Sequence, residues 1–517
     1  MDSNSVCDAL RAAAACASLG RMISQPAPAE RSALEDLRFQ FPDGEMGDWF
    51  GLGDVTDRSV RVWARRPSGP VAVRLLVEGE AAAEGTLEPA REHDDVASVV
   101  LTLALPRPNA AFTVEAGGEV RSGRLAPTTD APAAFAFAFG SCHQPFAERA
   151  VDGRLERHDG AGIYARAAEL LRERDARFLM LIGDQVYSDG VSNLSVRKRL
   201  ADDRSITDDD LVATYRHLYR GYFNERGFRE LGESLPAYLT WDDHDIYDGA
   251  GSLLRPTDFD LRLRAAASIA YREYQHLRNP GASLEDAPPF AYPFWYGDVG
   301  FFVLDLRGIR DFHAHRLLGD EQWAQLDAFL AEADARGTAT LFIAASVPVV
   351  HESPAIAAFL EQLRTSPGHD VRDRWDVPHF RHEREALLGR LFRWQSARPW
   401  RQVAILSGDV HVGAAFSVRP RDRRARGHIS QWTSSALSTP TGIQHVLANR
   451  LVTGLVRFGE RSVRVWRRGL VPTNNIGLVE VQPNPGGGHD LAFRVFAYDR
   501  KHDRLQEALT DRSTPTP

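Results

Sequence analysis

Cysteine is scarce in this chain of 517 residues, which carries only Cys7, Cys16 and Cys142. Three thiols cannot build a disulfide framework, so stability must come from a packed core. Lysine is scarcer still: Lys198 and Lys501 stand alone, and arginine carries nearly all the positive charge. The simplest reading of that bias is genome composition. A basic excess is also missing. The net charge is −8 and the pI about 6.1, which argues against a general nucleic-acid binder. The longest apolar run, near Leu341 to Val350, is too short to span a bilayer. In "MDSNSVCDALRAAAACASLG" acids precede the alanine patch and Arg11 interrupts it. That is a poor secretory signal without a twin-arginine motif, so a loose tail or short helix and a cytoplasmic location are expected. Cys7 and Cys16 read as incidental.

What is present is ordinary for a globular enzyme, with 43% hydrophobic and 26% charged residues. The length suggests two or three domains. Residues 45–128 alternate apolar and polar positions in short bursts such as "SVRVWARRP" and "VAVRLLVEG". That alternation, with turns between, predicts a small all-β sandwich of immunoglobulin or fibronectin type. "LAPTTDAPAA" reads as a linker. From Ala133 strand-like and helix-like stretches alternate, the pattern of an α/β domain. Helices are expected at 208–232, 258–279, 320–337 and 377–394, and strands at 236–241, 300–305, 339–347 and 402–408. The predicted organisation is a flexible tail over 1–44, a sandwich over 45–128, a catalytic domain over 133–505 and a tail over 506–517.

In open α/β sheets, ligands gather beyond the carboxyl ends of the strands. Four strand-like runs here end in metal-binding residue types. "GSCHQ" carries Cys142 and His143, and "IGDQVYSDG" carries Asp184, Tyr187 and Asp189. "WDDHDIYDG" carries Asp242, Asp243, His244, Asp245 and Asp248, and "LSGDVHVG" carries Asp409 and His411. Carboxylates crowded at the end of an apolar strand repel one another unless cations compensate them. Asp184 and Tyr187 stand three apart on a turn, so both can face one centre. A tyrosinate suits a trivalent ion such as Fe(III), and such an ion would deprotonate a thiol at Cys142. The carboxylates suit Ca²⁺ or another oxygen-loving cation. The mixture argues against a closed structural zinc site.

The fragments "GSC", "GDQVY", "WDDHD", "LDLRGIRD", "LLGDEQW", "SVP", "DRWD" and "SGDVHV", in that order, resemble the alkaline phosphatase D (PhoD-like) metallophosphatases over roughly residues 45–500. The resemblance implies an α/β fold with a calcineurin-like αββα core. It also implies a multinuclear centre of Fe³⁺ and Ca²⁺ and hydrolysis of phosphate monoesters and diesters. Relatives in this family are often exported. Carried over residue by residue, it suggests Cys142 and Tyr187 as ligands of the iron-like ion and Asp184 as a bridge between metals. Asp243 takes the place where the wider superfamily often has Asn, and Asp409 with His411 replaces an "HxH" pair. His244 would face the substrate phosphate. One departure stands out: Ser346 occupies a position where many superfamily members place a metal-binding His.

The expected mechanism is in-line attack on phosphorus by metal-activated hydroxide near Asp184, with His244 stabilising the phosphate or protonating the leaving oxygen. Arg307 and Arg310 in "LDLRGIRD" have two readings. They bind the substrate phosphate, or they pair with Asp305 and Asp311. Asp189 and Asp248 have two readings as well, a further cation site or solvated turn acids. His143 reads as a hydrogen-bonded loop residue, His313, His315 and His351 as surface or supporting groups, and Trp241 and Trp375 as packing residues. "DVRDRWDVP" (370–378) is a candidate lid. Small phosphate esters are the expected substrates, with no specific nucleic-acid partner and no transmembrane segment. A Ca²⁺-stabilised binding module without turnover, and a nucleotidase or phosphodiesterase on the same core, are the alternatives.

Overall fold

The computed structural model describes residues 40–149, 154–189, 195–203, 205–352, 371–422, 427–440, 457–459 and 462–515. Cys7, Cys16 and most of the expected N-terminal tail lie outside the described residues, as does Asp370. Two antiparallel sheets open the described chain. Strands β1 (Trp49–Val55), β2 (Ser59–Arg65) and β5 (Val96–Thr102) form one; β3 (Val71–Val77), β4 (Glu80–Leu87), β6 (Ala111–Ala116) and β7 (Glu119–Arg124) form the other. Val60, Val62, Leu75 and Val114 meet in one core between them. Alternation in the sequence does produce paired strands: β3 and β6 bury one face, whereas β1 and β2 are buried on both.

A short hairpin, β9 (Phe146–Glu148) and β10 (Leu155–Arg157), precedes the first long helix. Two large sheets follow. The first contains β8 (Phe135–Gly140), β11 (Ala176–Ile182), β12 (Ala237–Thr240), β21 (Asn475–Pro483), β22 (His489–Asp499) and β23 (Arg504–Ser513), ordered β12-β11-β8-β21-β22-β23. The second contains β13 (Tyr292–Tyr296), β14 (Val299–Val303), β15 (Thr340–Ala345), β16 (Gln402–Ser407), β17 (Gly413–Pro420), β18 (Ile429–Thr433), β19 (Arg457–Gly459) and β20 (Val463–Val471). Its order is β13-β14-β15-β16-β18-β17-β20-β19. β12, β11 and β8 run parallel, as do β14, β15, β16 and β18.

β8 shows how its sequence builds this layering. In "FAFAFG" the phenylalanines Phe135, Phe137 and Phe139 face the other sheet, while Ala136 and Ala138 face the helices. Phe137 stacks on Phe178 and meets Phe301 and Phe342 edge-on, which welds the two sheets. Helices α1 (Ile163–Glu173), α2 (Val196–Leu200), α3 (Asp208–Phe223), α4 (Arg226–Ser234) and α5 (Asp258–Tyr274) cover the outer face of the first sheet. Helices α6 (Gly319–Ala335) and α7 (Arg381–Ser396) cover the second. The result is a mixed α/β stack of helix, sheet, sheet and helix. α3 and α5 begin at matching signals: Thr207 with Asp210 and Thr257 with Asp260 each form a capping box.

Two expectations fail here. The stretch from 506 is not a tail, because β23 pairs along β22 from Arg504↔Asp499 to Ser513↔Leu491. Its polar composition belongs to a strand at a sheet edge, where one face is wet. At the other end, Phe41 is buried against Phe146 and Tyr222, so the boundary at 44 cuts through an anchored segment. No helix among the described residues is long and apolar enough to cross a membrane.

Candidate metal centre

The carboxyl ends of β8, β11, β12, β15 and β16 converge, and each releases a residue of the site. Cys142, Asp184, Asp409 and His411 all adopt left-handed backbone, at φ of 63°, 57°, 65° and 54°. Such conformations are uncommon outside glycine and persist where surrounding structure enforces them. They turn each side chain sharply off its strand into the shared space. Gly183, at φ 106°, leaves room for the crossing chains: a Cβ there would meet the Asp242 Cβ at 2.8 Å and the Ser346 Cβ at 3.0 Å.

The thiol and the carboxylates that were distant in sequence now touch. Cys142 Sγ lies 3.2 Å from Asp184 Oδ2 and 3.7 Å from the Asp409 carbonyl oxygen. The Tyr187 hydroxyl lies 3.4 Å from the same Asp184 oxygen. Ligand atoms of Asp184, Asp243 and His244 fall within 4.8 Å of one another, and so do those of Asp242, Asp243 and Asp409. Asp243 is common to both groups. His411 belongs to neither but is tied to the thiol loop, since its backbone N–H donates to Ser435 Oγ, itself 3.1 Å from Cys142 Sγ.

Electrostatics point to cations. Asp184 Oδ1 and Asp242 Oδ2 are buried and accept no hydrogen bond. Orphaned carboxylate oxygens in a dry site cost several kcal/mol unless a positive charge faces them. Burial, then the Cys142 thiol, push the Asp184 carboxyl well above the usual range. Burial and the neighbouring Cys142 and Asp184 likewise raise the Tyr187 phenol. Asp242 rises to about 6, because burial outweighs its Arg307 partner. Burial thus disfavours the charged forms of Asp184 and Tyr187, and a bound cation would oppose that. The donor set of thiol, phenol, carboxylate and imidazole fits a multinuclear centre, and Ser346, which replaces an expected His, donates to Asp242 Oδ1 at 2.9 Å.

His244 sits at the edge of this group, stacked on Tyr187 at 4.3 Å between ring centroids. Its Nδ1 is 2.7 Å from Asp189 Oδ1. Burial opposes its charge, but Asp189, Asp243 and Asp184 together raise its pKa well above the ordinary value. Asp189 thus orients the imidazolium and also accepts the Asp248 N–H, so it is neither a lone turn acid nor placed in either carboxylate group.

The arginines are placed differently from the expectation of substrate contact. Arg307 is fully buried; its Nε pairs with Asp242, and its Nη atoms pair with both oxygens of Asp373, with Asp243 at 3.3 Å and with the Ala250 carbonyl. Every nitrogen is committed, so it positions carboxylates instead of reaching substrate. Arg310 is buried over the Phe380 ring and donates to Ser252 Oγ and the Asp373 carbonyl. Neither pairs with Asp305 or Asp311: the Asp305 carboxylate accepts from Trp241 Nε1 and from the Phe290, Arg307 and Gly308 amides. The expected lid is also corrected over its described part, 371–378. Val371, Asp373, Trp375 and Asp376 are buried, and Asp373 grips Arg307 from the core side. Arg374, from the same stretch, pairs with Asp409.

Other assignments stand as read. His143 is enclosed by Tyr164, Tyr222 and Phe228, and burial lowers its pKa to about 3. His313 and His315 are exposed and His351 is buried. Trp241 stacks on Tyr271 inside the core. Sequence reasoning left Asp242 out of the assigned ligands, read Asp373 only as part of a lid, and gave no place to the segment "TSSALST" after β18. Within that segment, Leu437 N–H donates to the Ser141 carbonyl, and Thr439 Oγ1 donates to the Cys142 carbonyl and lies 3.1 Å from the Tyr187 hydroxyl. A run of small hydroxyl residues leaving a strand was its one signal.

The signature of PhoD-like phosphatases matches residues 137–450. The chain belongs to the PhoD-like phosphatase family. It is thereby a metal-dependent phosphoric ester hydrolase. Among solved structures, the structure of PhoD is similar over 93% of this chain and 94% of that one, at 20% identity and a TM-score of 0.59. A purple acid phosphatase, PPD1 from yellow lupin (Lupinus luteus) seeds, is similar over 89% of this chain and 73% of that one, at 12% identity and a TM-score of 0.53. At these identities both likenesses speak to the fold alone. No curated protein matches the sequence significantly.

Proposed function

We propose that this PhoD-like chain hydrolyses small phosphate monoesters and diesters at a centre of Fe³⁺ and Ca²⁺ type on a calcineurin-like core, with the N-terminal sheets as a fibronectin-type sandwich. The carrying observation is the Asp184 carboxylate. One of its oxygens lies beside both the Cys142 thiol and the Tyr187 phenol, and the other is buried without a donor. That arrangement supports Cys142 and Tyr187 as ligands of a trivalent ion and Asp184 as the bridge to a second metal. Asp243, Asp409 and His411 would complete the set, with Asp242 close behind.

When bound, the metals lower the pKa of water and neutralise the phosphate oxygens. The protein's own task is to orient and to move a proton. Asp189 occupies His244 Nδ1, which leaves Nε2 as the nitrogen for the substrate. A protonated His244 can hold a phosphate oxygen or give its proton to the leaving oxygen. Arg307 and Asp373 hold the Asp242–Asp243 turn in place while contributing no group to the substrate.

Metal analysis of protein purified without added metal, paired with p-nitrophenyl phosphate and bis-p-nitrophenyl phosphate, tests this reading. Iron with calcium, a visible tyrosinate band and release of p-nitrophenol are expected. Colourless, inert protein holding only calcium would sink it in favour of a calcium-stabilised binding module.

A further inference from the structure

The Cys142 sulfur lies between two serine hydroxyls, Ser141 Oγ at 3.3 Å and Ser435 Oγ at 3.1 Å. Each hydroxyl also receives a backbone N–H from the "DVH" loop. Asp409 N–H donates to Ser141 Oγ at 3.2 Å, and His411 N–H donates to Ser435 Oγ at 2.9 Å. A backbone N–H can only donate, so in both contacts the serine is the acceptor. A hydroxyl has one proton and neither contact uses it, so each serine can donate that proton to the sulfur of a Cys142 thiolate. Cys142 and Ser435 are 0% exposed and Ser141 1%, so no solvent competes for that place. Thr439 differs, because its proton goes to the Cys142 carbonyl. Gly408 keeps the space open: a Cβ there would meet Ser141 Oγ at 2.3 Å.

We propose that Ser141 and Ser435 are paired positioning residues that donate two hydrogen bonds to the Cys142 thiolate and lock its sulfur to the loop carrying Asp409 and His411. This rests on the reading of Cys142 as an iron ligand. Hydrogen bonds to a ligating sulfur draw electron density from it and fix its direction, and partners of this kind tune metal sites.

The test uses the full chain as purified. The part of the visible absorption that disappears in Cys142→Ser reports the thiolate. Ser435→Ala and Ser141→Ala should each move that component to longer wavelength, and the double variant should move it further. Iron loss to a chelator should be about tenfold faster in each single variant. Ser435→Thr, which keeps the hydroxyl, should restore both values. It also answers the case in which the double variant does not fold. A coloured wild type whose alanine variants keep its band and its chelation rate overturns the proposal alone. A colourless wild type overturns the iron reading and the proposal with it.

Discussion

His244 and Arg307 show how two charged residues near one pocket separate into different roles. His244 reaches the carboxylates with its ring part-exposed and its Nδ1 tied to Asp189. His244→Ala should lower kcat on the order of a hundredfold or more, while metal content stays near wild type. Full activity in that variant would remove His244 from the mechanism. Arg307 is sealed among Asp242, Asp243 and Asp373. Burial opposes its charge, but these three carboxylates hold its pKa well above the ordinary value. Arg307→Met leaves their charge uncompensated and should cost about 3–5 kcal/mol in denaturant unfolding. An intact unfolding midpoint with raised KM would instead restore the substrate-binding role. The motif "LDLRGIRD" was legible as important, but its partners lie some 65 residues away in either direction. Sequence spacing carries no information about such a pair.

Elements place these residues by their ends more than by their lengths. The strands expected at 236–241, 300–305, 339–347 and 402–408 correspond to β12, β14, β15 and β16. They were readable because strands buried on both faces are continuous apolar runs. The helix over 377–394 begins later, at Arg381, because the chain from Val371 to Phe380 is held by buried side chains and by Asp376 paired with Arg384. α7 is in turn fastened to β18. Gln395 donates to the His428 carbonyl at 2.6 Å and accepts its N–H at 2.8 Å. Burial, with Arg419 and Arg468 nearby, lowers the His428 pKa to about 4. A histidine held neutral in the fold but free to protonate when unfolded contributes full stability above its ordinary value near 6.5. That contribution falls as pH drops from there towards about 4, and the whole loss is at most about 3 kcal/mol. His428→Gln should flatten the stability profile across that window, as measured by urea unfolding at several pH values. An unchanged slope would show that another group is responsible.

The N-terminal sheets and the helices over the first large sheet share one hydrophobic core. Trp49, Trp63 and Val96 from the N-terminal sheets pack into the same core as α3 and α5. Trp63 Nε1 donates to the Glu273 carbonyl at 2.7 Å, and the Arg278 guanidinium lies 4.1 Å from its ring centroid. A single calorimetric transition is therefore expected. Trp63→Ala should remove about 3–5 kcal/mol and separate the transition into two. Two transitions already present in the wild type would show that the sheets fold independently. Sequence alone determined the apolar runs, the alternation before residue 128 and the order in which strands end in Cys142, Asp184, Asp243 and Asp409. Those features arise from neighbours along the chain, where strand period and turn chemistry act over a few residues. Only the tertiary structure decided that Arg307 is internal, that 371–378 is clamped, and that Ser141 and Ser435 face the thiol. Each of these depends on which surfaces two packed sheets bring together, and burial then sets the partner of every charge and hydroxyl within reach.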